Sequence, residues 1–286
     1  MIDLAPSHKR GLALQSPLLN TAGALGFSDE YAGLIDLGRL GALVTNPITA
    51  RPRTPARGRH VHEFDGGVLI HTGLPNPGIG EAARQHARKW ARLACPVIVH
   101  VAGTTPAEVA ACVERLESLE NVVGVEVGLR DGAEAGEAAE LIAAAVRLGS
   151  LPVLARLPLF EAERLAPAAW AAGPQALVIG GPPRGTLRLP DGGWLTGRVY
   201  GPAVLPLALR AVQAVARNEA LPVVGAGGVH TPEDAQAMLA AGAAAVQVDS
   251  AVWRNPRVVE WIAQGIGVRG ADGLPSVVAV NREANT

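Results

Sequence analysis

Two glycine-rich stretches are the first candidates for chemistry in this 286-residue chain. Pro222-Val223-Val224-Gly225-Ala226-Gly227-Gly228-Val229 ends one apolar run, and Ala241-Gly242-Ala243-Ala244-Ala245-Val246-Gln247-Val248-Asp249-Ser250 crosses the next. Glycine lets a ligand approach the backbone, where a side chain would hold it off. Backbone N–H groups exposed by two successive loops form a phosphate-binding pattern. The alternative is that these glycines serve tight turns only. Asp249 argues against a phosphate, because like unit charges 4 Å apart repel by ~4 kcal/mol at an effective dielectric of ~20. Either its carboxylate points outward, or it bonds a backbone N–H, or the phosphate site is lost. His71 and His100 could carry protons near neutral pH or be structural. Arg51, Arg53, Arg57 and Arg59, stiffened by Pro52 and Pro55, could attract an anion or simply be solvated. The two cysteines, Cys95 and Cys112, have no metal-ligand spacing, so no metal is expected.

The elements that must position these residues repeat along the chain. Short apolar runs at 18–22, 42–45, 97–102, 122–127, 153–157, 176–179, 223–225 and 245–248 read as buried parallel strands. Ala-rich amphipathic stretches lie between them. Thr105-Pro106-Ala107-Glu108 is a capping-box pattern with proline at the first helical position, followed by an apolar face of Val109, Cys112, Val113 and Leu116. Thr231-Pro232-Glu233-Asp234 starts another helix, and Leu205, Ala208, Leu209, Val212 and Val215 mark a third. Further helices are expected over 29–37, 81–93, 134–148, 161–172 and 258–266. Eight such units without a linker predict one (β/α)₈ TIM barrel over 1–286. An N-terminal hairpin turning at Gly11 precedes it. Insertions at 46–80 and 180–201 follow the second and sixth strands, on the face where such barrels place active sites. Asp191-Gly192-Gly193 is a hairpin turn in the second, which also carries Trp194 and Tyr200, candidates for a lid or an interface.

Composition narrows the partners. The chain is 49% hydrophobic and 18% charged, which excludes a disordered polymer. A formal net charge of -1 supplies no general field for nucleic acid or acidic lipid. The uncharged run 235–248 falls short of the ~20 residues that span a bilayer. Residues 1–11 contain no apolar signal-like run. The expectation is a cytoplasmic protein acting on a small molecule, without membrane or nucleic-acid partners.

Several blocks, in order, resemble the class 1, FMN-dependent branch of the dihydroorotate dehydrogenase family. They are Ser16-Pro17-Leu18-Leu19-Asn20-Thr21-Ala22-Gly23-Ala24-Leu25-Gly26-Phe27 with Glu30-Tyr31, then Leu40-Gly41-Ala42-Leu43-Val44-Thr45, Arg51-Pro52-Arg53 and Gly66-Gly67-Val68-Leu69. Gly73-Leu74-Pro75-Asn76-Pro77-Gly78, Pro96-Val97-Ile98-Val99-His100-Val101-Ala102-Gly103 and Gly201-Pro202-Ala203 follow, and the two glycine-rich stretches complete the set. The resemblance implies an oxidoreductase of pyrimidine-biosynthesis type. It would hold FMN across the barrel top and oxidise dihydroorotate or another small acid. It also implies cofactor contacts from Thr21, Ala22, Gly23, Asn46, His100, Arg156, Gly201, Gly227, Gly228, Asp249 and Ser250, and substrate contacts from Gly73, Leu74 and Asn76. A homodimer and a partner subunit are further expectations from the family.

Departures concentrate at the chemistry. The family's flavin lysine after the second strand is Asn46 here, and its second flavin lysine is Arg156. A substrate asparagine is replaced by Ile70. After the fourth strand the family's Glu-Leu-Asn-x-Ser-Cys-Pro-Asn becomes Glu126-Val127-Gly128-Leu129-Arg130-Asp131-Gly132-Ala133. Asp131 stands at the aligned position of the cysteine base, as a candidate proton acceptor or as a solvated loop residue beside Arg130. Two readings follow: a flavin-linked enzyme of this family, or a degenerate, non-catalytic paralogue serving as a binding or partner subunit with weak or no FMN binding.

Overall fold

A computed structural model describes residues 1–58, 60–218 and 221–267. The eight barrel strands are β1 (Leu18–Asn20), β2 (Leu43–Val44), β3 (Val97–Val101), β4 (Val122–Gly128), β5 (Val153–Pro158), β6 (Ala176–Gly181), β7 (Val223–Ala226) and β8 (Ala245–Val248). They form one parallel sheet in the order β1-β8-β7-β6-β5-β4-β3-β2. A bridge between Leu19 and Ala42 closes the ring. All eight expected strands are present, most of them displaced by a residue or two at their ends.

The strand period of two sorts the residues. Val97, Val99 and Val101 pack outward with Val125, Val127, Val153 and Leu157 against the helices. Ile98, Leu154, Val178, Val224 and Ala245 pack inward in a second cluster with Leu4, Leu12 and Leu14. The N-terminal hairpin, Ile2–Asp3 paired with Ala13–Leu14, therefore closes the base of the barrel. Asp3 Oδ1 accepts from the Ala5 and Leu12 N–H groups at 2.9 Å, and Gly11 has φ 61°. Asn20 stitches the weakly paired seam between β1 and β2. Its Oδ1 accepts from Val44 N–H at 3.0 Å, and its Nδ2 donates to Val44 O at 2.7 Å.

The helices are α1 (Ile79–Trp90), α2 (Pro106–Leu116), α3 (Ala135–Leu148), α4 (Ala162–Ala171), α5 (Leu205–Asn218), α6 (Pro232–Ala240), α7 (Ala251–Arg254) and α8 (Val258–Gly267). At α6 the capping box closes reciprocally between Thr231 and Asp234. At α2 it does not: Thr105 accepts from Glu108 N–H, but the Glu108 carboxylate turns to Thr104. The helix expected over 29–37 is absent and is replaced by turns and a short 3₁₀ segment, Leu37–Arg39. Glu30 accounts for part of this by folding back onto the Phe27 and Ser28 N–H groups. Gly33 disfavours a helix by a further ~1 kcal/mol relative to alanine.

The two insertions build one structure. Strands Arg184–Arg188 and Trp194–Tyr200 form the expected hairpin, and Trp194–Tyr200 also pairs with Gly67–Ile70, which pairs with Val61–Phe64. The resulting four-stranded antiparallel sheet joins the insertions after β2 and β6. Among the described residues, no helix is long and apolar enough to cross a membrane.

Candidate active site

The inward parity that places Ile98 and Leu154 in the apolar interior places His100, Arg156 and Gln247 one layer higher, together with Glu126 from β4. All four are buried and form a ring of polar contacts. His100 Nδ1 lies 2.7 Å from Glu126 Oε1. Gln247 Nε2 donates to Glu126 Oε2 at 2.7 Å, and Arg156 Nη1 donates to Gln247 Oε1 at 2.6 Å. The same Arg156 nitrogen is 3.5 Å from Glu126 Oε1. Burial pushes the Glu126 carboxyl up, but the His100 hydrogen bond, the Arg156 charge and the Gln247 hydrogen bond outweigh it and leave the carboxyl below its usual range. A carboxylate only accepts, so His100 carries its proton on Nδ1. When the ring is neutral, Nε2 then holds a lone pair, and among the described residues it has no partner.

Gly128 makes room for this imidazole. A Cβ added there would stand 2.5 Å from His100 Nε2. The asparagine of the family pattern is thus replaced by a glycine, and a histidine from the neighbouring strand fills its volume. Thr45 supports the arrangement by accepting from His100 N–H at 3.1 Å.

Asp131 is clamped rather than free. Arg198 Nη1 donates to its Oδ1 at 2.8 Å, Arg198 Nη2 lies 2.7 Å from its Oδ2, and Arg184 Nε donates to Oδ2 at 3.2 Å. Both oxygens are engaged by arginines. Its role is to tie the loop after β4 to the hairpin of the second insertion. Arg130, expected beside it, pairs with Glu137 instead.

At the end of β1, Thr21 Oγ1 is buried without a hydrogen-bond partner, and so is Asn46 Oδ1 after β2. Ala22 is half-buried, and Gly23 has φ 92° with open space where a Cβ would point. Asn76 is mostly consumed by its own loop: Oδ1 accepts from Thr49 N–H, Thr49 Oγ1 and Gly78 N–H, and Nδ2 donates to Leu74 O. Gly73 and Leu74 hold positive φ of 78° and 56° in that loop, and Leu74 is exposed. His71 is exposed. Gly201 is a packing residue, since a Cβ there would meet Gly66 O at 2.6 Å.

At the other side of the top, the loops after β7 and β8 meet as expected, but Asp249 fills them. Its Oδ2 accepts from Gly228 N–H at 3.3 Å, and its Oδ1 accepts from Ser250 N–H at 2.5 Å and Ser250 Oγ at 3.0 Å. Gly227 and Gly228 have φ 107° and 73°. His230 Nε2 lies 3.3 Å from Ser250 Oγ. Burial raises the Asp249 carboxyl above its usual range, against the hydrogen bonds from Ser250 and Gly228 and the charge of His230. Tyr200, edge-on to Trp253 with ring centroids 5.0 Å apart, is pushed up to about 12 by burial and by Asp249, and stays a neutral phenol.

Sequence reasoning missed Glu126, Gln247 and Arg198 as site residues. Strand parity could have found Gln247. Nothing local announces Arg198, which is 67 residues from Asp131. Among the described residues, no group of three or more His, Cys, Asp or Glu could hold a metal ion.

A family model described as dihydroorotate dehydrogenase matches residues 7–269. The chain is 34% identical over 270 residues to a protein of Desulforudis audaxviator named dihydroorotate dehydrogenase B (NAD(+)), catalytic subunit, covering 88% of each chain. Proteins of the same name from Pelobacter propionicus and Cutibacterium acnes are each 33% identical, over 90% of both chains. Among solved structures, the DHODH of Eimeria tenella in complex with ferulenol superposes with a TM-score of 0.71 at 16% identity. That match covers 87% of this chain and 80% of the other, and it speaks to the fold.

Proposed function

Because this chain belongs to the dihydroorotate dehydrogenase family, we propose that it oxidises a small cyclic acid of the dihydroorotate class, as in pyrimidine biosynthesis, with His100 as the proton acceptor. The observation that carries this is the unpartnered Nε2 of His100 on β3, which lies against Gly128 at the end of β4, just before the loop where the family's base is expected. Oxidising such an acid removes a proton from the carbon next to a ring carbonyl and a hydride from the carbon bearing the carboxylate, and the hydride would go to a flavin bound on the same face of the barrel. The proton would pass to Nε2. Glu126 would hold the imidazole by Nδ1 and offset the positive charge that forms. Arg156, with Nε and Nη2 unpaired among the described residues, would attract the substrate's negative charge.

FMN, the cofactor the family resemblance implies, fits this chain only in part. The orphaned Thr21 Oγ1 and Asn46 Oδ1 suit the polar edge of a bound heterocycle. The phosphate end does not fit, because the Asp249 carboxylate already takes the Gly228 and Ser250 N–H groups. We therefore assign no step to FMN.

The relatives' designation as catalytic subunits is the observation against a non-catalytic paralogue, and it also supports a second chain as partner. Cys95 and Cys112 are buried, and desolvation pushes their thiols up to about 11 and about 12, so an iron–sulfur ligand set would have to come from that chain. A single catalytic unit over 1–286, a cytoplasmic location and a homodimer are parts of the same reading.

The test is orotate formation from dihydroorotate, followed by ultraviolet absorbance with an added flavin and a two-electron acceptor. The wild type should turn over, and His100→Asn should lose about 10²–10⁴ in rate while remaining folded. Failure of the wild type with every acceptor would remove the proposal.

A further inference from the structure

We propose that the top-face site takes a flavin without its phosphate, of the riboflavin class, in preference to FMN, because Asp249 occupies the place a phosphate would take. This rests on the flavin-linked reading above and narrows it to one ligand chemistry.

The argument starts from hydrogen-bond capacity. A terminal phosphate dianion binds a backbone nest by accepting from its N–H groups. Here the Gly228 and Ser250 N–H groups and the Ser250 hydroxyl all donate to one internal carboxylate. Asp249 is 3% exposed, so it cannot swing into solvent without opening the barrel top. Its strand parity, shared with Ala245 and Gln247, directs it inward. Gly228 is fixed as well, because a Cβ on it would run into Leu205 backbone. Among the described residues, no lysine or arginine pairs with Asp249 or with this loop. His230 reaches the loop through Ser250 Oγ. A proton on Asp249 would remove its charge but not its bulk.

The other end of the site asks for the opposite chemistry. Asn46 Oδ1 is an acceptor without a donor, and Thr21 Oγ1 is a hydroxyl without any partner. A phosphate offers no donor to either. An imide N–H or a sugar-alcohol hydroxyl offers one, and riboflavin and FMN both carry these groups. The unfilled positions therefore suit either flavin, and the choice between them is made at the filled position, which selects against a terminal anion.

The experiment is a fluorescence-quenching titration of the full chain with riboflavin and with FMN at pH 8, where the FMN phosphate is a dianion. Wild type is compared with Asp249→Gly. Wild type should bind riboflavin more tightly than FMN by at least about tenfold, equivalent to ~1.4 kcal/mol. Asp249→Gly should reverse that order. The wild-type ratio needs no variant, so a poorly folding substitution does not weaken the test. If wild type binds FMN as tightly as riboflavin or more so, the inference is overturned while the flavin-linked reading stands. If neither protein binds either compound, the flavin-linked reading falls and takes the inference with it.

Discussion

On the β3–β5 side of the barrel top, His100 and Arg156 present nitrogen atoms that no described residue satisfies, while Glu126 beneath them is fully engaged. On the β7–β8 side, Asp249 takes up the backbone N–H groups that the glycines expose. Both regions are buried polar clusters at strand ends, and both centre on a carboxylate inside the barrel. They differ in where their hydrogen bonds run. The Glu126 cluster satisfies its carboxylate from His100, Gln247 and Arg156 and leaves nitrogen atoms of His100 and Arg156 without partners among the described residues. The Asp249 cluster closes on itself. A buried polar group is costly unless paired, so the first arrangement is one that a ligand completes and the second is one that a ligand would have to break.

The largest effect is expected at Glu126. Glu126→Gln leaves Arg156 and His100 without their buried counter-charge, which should lower stability to chemical denaturation by about 3–5 kcal/mol. Because the Glu126 carboxyl is held below its usual range, this contribution is present above the unfolded value of ~4.3. It is lost as pH falls through the folded value. The gap between wild type and Glu126→Gln should therefore narrow in acid, and a constant gap would mean that the charge is not what stabilises the ring.

A smaller effect on stability and a large one on chemistry is expected at Gly128. Gly128→Asn returns the family's side chain to a place already filled by the imidazole. It should displace His100 and reduce turnover by about 10²-fold or more, with stability lowered by ~1–3 kcal/mol. An unchanged rate would show that His100 is not the proton acceptor.

The smallest effect, and of opposite sign, belongs to Asp249. Its folded-state carboxyl is raised, so its ionisation opposes folding increasingly as pH rises above the unfolded value of ~3.9. Asp249→Asn should therefore gain stability relative to wild type at pH 8, and the gain should shrink as pH falls toward 4. Melting curves across that range provide the check. A loss at pH 8 would mean that the ionised carboxylate is a net stabiliser, and the contrast between the two clusters would then weaken.

The barrel was legible because short apolar runs of three to six residues recur with amphipathic stretches between them, and all eight became strands. The direction of His100 and Asp249 was left open in the sequence, although alternation within those runs, continued to Asp249, matches the inward placement of His100, Arg156, Gln247 and Asp249. The partners lay beyond the reach of sequence. Glu126 meets Gln247 across the barrel from 121 residues away, and Asp131 meets Arg184 and Arg198 only because the second insertion folds over the loop after β4. Asp131, a candidate base or a solvated loop residue in sequence, is paired with two arginines of the second insertion in space. The segment 29–37 misled for a local reason: its apolar spacing is helical, but Glu30 satisfies N–H groups before it and Gly33 interrupts it.

The central claim is proton removal by His100, and it can be isolated from the redox half of the reaction. Dihydroorotate incubated with the full chain in deuterated water, without an electron acceptor, should exchange hydrogen for deuterium at the carbon next to the ring carbonyl, as followed by proton NMR. Exchange above the protein-free rate that disappears in His100→Asn is the predicted result. Exchange that persists undiminished in that variant would contradict the account.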